Sequence, residues 1–412
     1  MKHAPARDSD VAPQLTALNG MRFFAVFHIF LFHLWSIRFE APRPPGIWAN
    51  AYANMDSFPV LLNHLIAHGY LSTSFFFLLS GFILAYLYWA PGGELATTRQ
   101  YFWWQRLTRI YPAHLIALGI TSLLLLPRYF FDPAAPSIPL AAASVVATAT
   151  LTQAWVPPLV PIWSWPTWAL SAVVFLYLIM PWLMRVLSKL SRAQQIGLLV
   201  ASPLISLTPT LIFLQFFPDG AKDSQNWQIF IGSTPLFWVA HFVAGMLMSR
   251  IFGISKFETA WRGKSKPWVS FGDLALVAVL VLSLMEPHDR AWRHILRHGA
   301  LLPLYMLVLY DLALGRGLVA RVFSLPGMNF LGQLSFSIFI WQNLFMILGF
   351  AVIGAAPQIT GLSFWFAVIG LLVMSVISTH YIERPLARRL RKRYAATHGP
   401  AVQGSGSSVT PA

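Results

Sequence analysis

The stretch Leu18-Asn-Gly-Met-Arg22-Phe-Phe-Ala-Val-Phe-His28-Ile-Phe-Leu-Phe-His33-Leu-Trp35 decides the fold class. It is long and apolar enough for a membrane-crossing helix, which needs about 20 residues, yet it carries one arginine and two histidines. An arginine at the centre of a bilayer costs roughly 2.5–3.5 kcal/mol on insertion scales, so ionisable residues inside such a segment are functional candidates. Arg22 and His33 are eleven residues apart, close to three helical turns, so they share one face about 16 Å apart along the axis. His28 lies off that stripe. The alternative is structural: Arg22 snorkels to headgroups and His33 is a hydrogen-bonded partner of another helix.

The rest of the chain repeats the apolar pattern. Of its 412 residues, 57% are hydrophobic and 10% charged, with mean hydropathy +0.60, against about 25% charged in a soluble domain. Spans are expected at 17–37, 70–89, 109–127, 168–184, 195–216, 235–250, 269–286, 295–313, 329–353 and 361–382. Residues 140–155 are apolar but small and threonine-rich. The positive-inside rule decides their role. If they do not cross, the basic groups Arg99/Arg106, Arg185/Lys189/Arg192, Arg250/Lys256/Arg262/Lys264/Lys266, Arg316/Arg321 and Arg384–Arg393 fall on one side. The expectation is thus an all-α polytopic bundle of about ten transmembrane helices with both termini cytoplasmic. Residues 128–167 become an outside or re-entrant excursion, whose proline-rich run Trp155–Pro166 cannot be a regular helix. A cytoplasmic segment 1–16, one membrane domain 17–390 and a basic, then disordered tail 391–412 account for the chain, with no leader removed.

The absence of Cys excludes disulfides, cysteine metal sites and a cysteine nucleophile; no metal is expected. The net charge of +15 sits in loops and tail, where it reports orientation and lipid contact rather than nucleic acid.

Four further stretches could carry chemistry. In Leu71–Leu84 the pair Ser80-Gly81 lets a helix or a ligand approach the backbone closely. Arg106 and Arg109 share a helix face at the inner surface, suited to anionic lipid or a phosphorylated ligand. The block Trp168-Ala-Leu-Ser171, followed by Tyr177, reads as an aromatic-ended span without an acid. Gly332-x-x-Ser335-x-Ser337 precedes the last span, which closes on Glu383-Arg384-Pro385, where an ion pair between Glu383 and Arg384 is expected.

Taken in order, these stretches resemble the acyltransferase-3 family of integral-membrane acyltransferases over about residues 15–390. The resemblance is carried by Leu15, Leu18, Gly20, Arg22 and His33; Phe76 to Phe82; Arg106, Arg109, Ile110, Tyr111 and Pro112; Trp168, Leu170 and Ser171; Gly332, Ser335 and Ser337; and Glu383 with Pro385. It implies transfer of an acyl group, usually acetyl, from cytosolic acyl-CoA to a hydroxyl of an extracytoplasmic glycan or lipid-linked sugar, in the bacterial plasma membrane. Some members act on small molecules such as macrolides. Carried onto this chain, it makes His33 and Arg22 the catalytic pair. Arg106, Arg109, Tyr111, Ser80 and Gly81 become the acyl-CoA contacts, and Trp168 and Ser171 the acceptor contacts. His33 would act as base towards the hydroxyl or carry the acyl group covalently. The chain departs from the family at Val173 and Val174, where a glutamate is common. A transporter and a catalytically silent relative are the competing readings. Asp56 and Glu40 are acids of an outside loop, and Trp48, Tyr52, Phe58, Trp155, Trp163 and Trp165 suit sugar stacking or the interfacial belt alike.

Overall fold

A computed structural model describes residues 14–40, 59–90, 92–133, 135–217, 225–252, 267–285, 290–353 and 360–398. Trp48, Tyr52, Asp56, Phe58, Lys256, Arg262, Lys264, Lys266 and the tail beyond His398 lie outside them, as do the first thirteen residues; of Glu40 the backbone alone is described.

The long helices are α1 (Gln14–Glu40), α2 (Ser72–Tyr88), α3 (Arg99–Leu125), α4 (Ile138–Ala149), α5 (Trp168–Ser188), α6 (Arg192–Phe216), α7 (Gln225–Ser233), α8 (Val239–Phe252), α9 (Phe271–Leu284), α10 (Leu302–Leu314), α11 (Pro326–Ile353), α12 (Thr360–Ile377) and α13 (Arg384–His398). Among the described residues there is no strand, only one bridge between Trp89 and Leu95. Seven helices among them are long and apolar enough to cross a membrane, and the number rises to nine if each of two bent pairs is one span. Those pairs bend by 42° between Ser233 and Pro235 and by 45° between Ala300 and Leu302. The expected span 269–286 is α9, with 14 residues, or about 21 Å of helix.

Residues 128–167 behave as the prolines dictate. Helix α4 has 12 residues, about 18 Å against a hydrocarbon core of about 30 Å. Beyond it the chain breaks into the 3-10 turns Gln153–Trp155, Pro157–Leu159 and Trp165–Thr167 and the single turn Val160–Trp163. Side chains close this excursion onto itself and the bundle. Trp163 Nε1 donates to the Ala141 carbonyl at 2.7 Å, Ser144 Oγ to the Leu159 carbonyl at 2.8 Å, and His114 Nε2 is 2.9 Å from the Thr148 oxygen.

Close approaches at two helix pairs set the framework of the bundle. Helices α2 and α8 pack backbone to backbone: a Cβ on Gly81 would come within 2.8 Å of the Phe242 carbonyl carbon, and one on Gly245 within 2.7 Å of the Phe82 nitrogen. Helix α1 lies equally close to α11, where a Cβ on Gly332 would meet the Asn19 carbonyl carbon at 2.6 Å. Such small-residue contacts are how membrane helices gain dispersion contact without a hydrophobic driving force. His28 bridges α1 to the first residue of α2 and to the segment before it, with Nδ1 2.8 Å from Ser72 Oγ and Nε2 2.6 Å from the Leu65 oxygen.

Candidate active site

Helix α1 brings Arg22 to a cavity of about 110 Å³ between α1, α2, α3, α5 and α11. Arg22, Ser80, Arg106, Arg109, Val173 and Tyr177 are among the residues lining it, so side chains from motifs far apart in sequence meet here. Arg22 Nη2 donates to the Gly332 carbonyl at 2.9 Å, and Ser335 Oγ donates to the same oxygen at 2.8 Å. That carbonyl is available because Gly332 sits against α1. Ser80 Oγ is spent on the Phe76 carbonyl at 2.7 Å.

The arginines of α3 are held by aromatic rings. Arg106 Nη2 donates to Tyr88 Oη at 2.5 Å, and Tyr88 Oη to Gln105 Oε1 at 3.0 Å. Arg109 stands 5.8 Å from the centroid of Phe336. No carboxylate lines the cavity among the described residues, and Val173 occupies its wall. The acid whose charge reaches Arg109 is Glu383. It caps the π-helical turn Ser378–Glu383, where it accepts from Ser337 Oγ and from Ser378 Oγ, the latter at 2.8 Å. The expected ion pair with Arg384 does not form: consecutive residues on a helix diverge, and Arg384 Nη2 donates instead to Gln333 Oε1 at 2.6 Å. A cavity holding three guanidinium groups and no acid is built for an anion.

His33 is buried towards the other end of the α1 stripe, and the charge that acts on it is Arg297. Arg297 stands 5.2 Å from the ring centroid of Trp168 and 5.0 Å from that of Trp238. The two indoles stack on each other at 5.7 Å. Trp168 thus joins the two ends of the site, because Ala169, Leu170 and Val173 of the same helix line the arginine cavity.

The remaining expected residues have other partners. Gly81 faces Phe242 of α8. Tyr111 Oη donates to the Thr150 carbonyl at 3.3 Å, on the excursion side of α3. Ser171 Oγ donates to the Leu151 carbonyl at 2.5 Å, which holds the left-handed turn at Leu151 (φ 58°) against α5. Arg297, His241 and His298 carried a signal that the sequence reading did not use: ionisable residues inside apolar spans. No group of three or more His, Asp or Glu that could hold a metal ion occurs among the described residues.

Comparison with known proteins places the chain in a family. A family model described as an acyltransferase domain matches residues 15–383. The chain is 26% identical over 282 residues to acyltransferase MdmB of Streptomyces mycarofaciens. That match covers 66% of this chain and 65% of that relative, just under two thirds of its length. No solved structure matches the chain.

Proposed function

Because the chain belongs to the acyltransferase-3 family, whose model spans most of it, we propose that it is a membrane-embedded O-acyltransferase. It moves an acyl group, acetyl in the first instance, from cytosolic acyl-CoA to a hydroxyl of an extracytoplasmic glycan or lipid-linked sugar. It does so from ten spans with both termini cytoplasmic, in the plasma membrane. The observation that carries this reading is the split of helix α1: Arg22 in the arginine cavity at one end, His33 buried at the other within reach of the Arg297 charge.

The arginine cavity is the donor end. Arg106 and Arg109 suit the phosphates of the nucleotide, and the slim pantetheine arm runs inward along α1 towards His33. A hydroxyl is a weak nucleophile at neutral pH, so it needs a base within hydrogen-bond reach and donors for the oxyanion. His33 takes the hydroxyl proton as the oxygen attacks the thioester carbonyl. The tetrahedral intermediate collapses with loss of the CoA thiolate, which takes the proton from the imidazolium. The products are the ester and free CoA thiol. Purified protein given labelled acetyl-CoA and a glycan panel should transfer label, and His33→Ala should lose transfer while remaining folded in the membrane. Undiminished transfer by His33→Ala would sink the proposal.

Val173 in the wall of a cavity without an acid favours a second reading: a relative that binds acyl-CoA or glycan and turns over weakly. Val173→Glu separates the two. A wild-type protein that binds donor but transfers no label, paired with a Val173→Glu variant that does, supports the second reading. Transfer by the wild type supports the first.

A further inference from the structure

The two bent helix pairs among the described residues converge on Arg297. This residue lies in the π-helical segment Leu296–Ala300, at the 45° joint ahead of α10. Trp238, which covers its guanidinium, ends the 3-10 turn Pro235–Trp238 just after the 42° joint of the other pair. Gly232 stands at that second joint, and a Cβ there would meet Arg297 Nη1 at 3.2 Å. Ser74 of α2 donates its hydroxyl to the Arg297 carbonyl, tying the π segment to the helix that carries Ser80. Interrupted helices at membrane depth are tolerated where the freed backbone is buried in protein or lines a polar site, and in membrane proteins substrate sites are built at such breaks.

Among the described residues, Arg297 is a cation without an acid. Tyr70 and Arg293 are near it, and its guanidinium makes no ion pair with a carboxylate among the described residues. The ion pairs described are elsewhere, Arg128 with Asp132 and Arg316 with Asp311. Its Nε has no hydrogen-bond partner. His298 beside it is fully buried with both ring nitrogens unbonded, its ring 4.9 Å from Trp238. His241 and His294 also lie within reach of the Arg297 charge. Two indole faces attract a guanidinium, but they do not replace the counter-charge that a buried cation requires.

We propose that the joint at Arg297 is the docking site for an anionic group, a carboxylate or phosphate, of the acyl acceptor, holding that molecule's hydroxyl beside His33. This rests on the reading of His33 as the base. It narrows the acceptor to an acidic sugar or a sugar phosphate, and it gives the two helix breaks a common purpose. The guanidinium fork matches either group bidentately, and the indoles fix its plane.

The test is binding to the detergent-solubilised full chain without donor, read by thermal shift for methyl glucuronide, glucose 1-phosphate and neutral methyl glucoside. We expect at least one anionic sugar to bind about tenfold or more tighter than the neutral one. Arg297→Gln should reduce that preference to less than twofold, Arg297→Lys should retain part of it, and Arg128→Gln should leave it intact. Should Arg297→Gln fail to fold, Arg297→Lys and Gly232→Ala, which crowds Nη1, must each weaken anionic binding more than neutral binding. Glucuronide binding alone points to a uronic acid, and phosphate binding alone to a sugar phosphate. Equal binding of all three sugars, a preference that survives Arg297→Gln, or one lost in Arg109→Gln instead would overturn the inference. No acyl transfer enters this measurement, so its outcome is separate from the fate of the proposed reaction.

Discussion

Replacing Gly81 by alanine tests the contact on which both ends of the site depend. Gly81 follows Ser80 of the arginine cavity, and its partner helix α8 directly follows Trp238 and carries His241. The new Cβ would stand 2.8 Å from the Phe242 carbonyl carbon and 3.0 Å from its Cα, where ordinary contact begins at about 3.4 Å. The Phe242 carbonyl oxygen stands nearer still, so the carbonyl carbon must withdraw by about 0.6 Å and the oxygen by more, and the atoms in the way are backbone rather than a side chain that could rotate. Overpacking costs about 1–3 kcal/mol, and a rigid obstacle puts this site at the upper end. A loss of about 3 kcal/mol lowers the folded-to-unfolded ratio on the order of 100-fold. Gly119 is the control, since a Cβ there meets nothing within 4 Å, and Gly119→Ala should be neutral or slightly stabilising. The assay is equilibrium unfolding of the purified variants in mixed micelles, with donor binding measured alongside. Gly245→Ala crowds the same gap, so the double variant should cost less than the sum of the two singles. A Gly81→Ala protein as stable as the Gly119→Ala control would refute the backbone contact and with it the positioning argument.

His28→Leu should lower stability by about 1–3 kcal/mol, because the Ser72 hydroxyl and Leu65 carbonyl it joins lose their partner. Specific transfer activity of the folded fraction should persist, in contrast to His33→Ala. Glu383→Ala should cost about 1–3 kcal/mol by orphaning the Ser337 and Ser378 hydroxyls, whereas Glu383→Gln keeps an acceptor oxygen and should cost less than about 1 kcal/mol; thermal unfolding separates them. Trp163→Phe removes the donor to the Ala141 carbonyl, so limited proteolysis should cut the 128–167 excursion faster in the variant than in the wild type.

Much of the fold was legible because a bilayer imposes one-dimensional rules. Nine of the ten expected spans overlap a helix or bent pair long and apolar enough to cross, since a crossing segment must satisfy its own backbone and present apolar residues along its whole length; the tenth, 269–286, is the 14-residue α9. The prolines of 155–166 announced irregular structure, and short turns are what they form. The sequence could not announce the bends at Ser233 and Ala300, because a break costs little where neighbouring helices satisfy the freed groups. Tyr111, Gly81 and Ser171 belong to recognisable motifs, but motif membership does not say which side of a helix faces a ligand. The structure sets Gly81 against α8 and turns the hydroxyls of Tyr111 and Ser171 to Thr150 and Leu151.

By itself the sequence determined that this is a helical membrane protein, and that Arg22 and His33 share a face of its first span. Hydropathy and helical period act locally and need no partner to be read. Only the tertiary structure decided which residues complete those two ends: Arg106 and Arg109 with Arg22, and Arg297 against two stacked tryptophans within reach of His33. Arg297 lies 264 positions after His33 in the chain, and no periodicity links residues that far apart. Close packing of backbone on backbone at a few glycines holds the helices that carry them, and a buried cation with no carboxylate partner among the described residues is visible only once its neighbours are known.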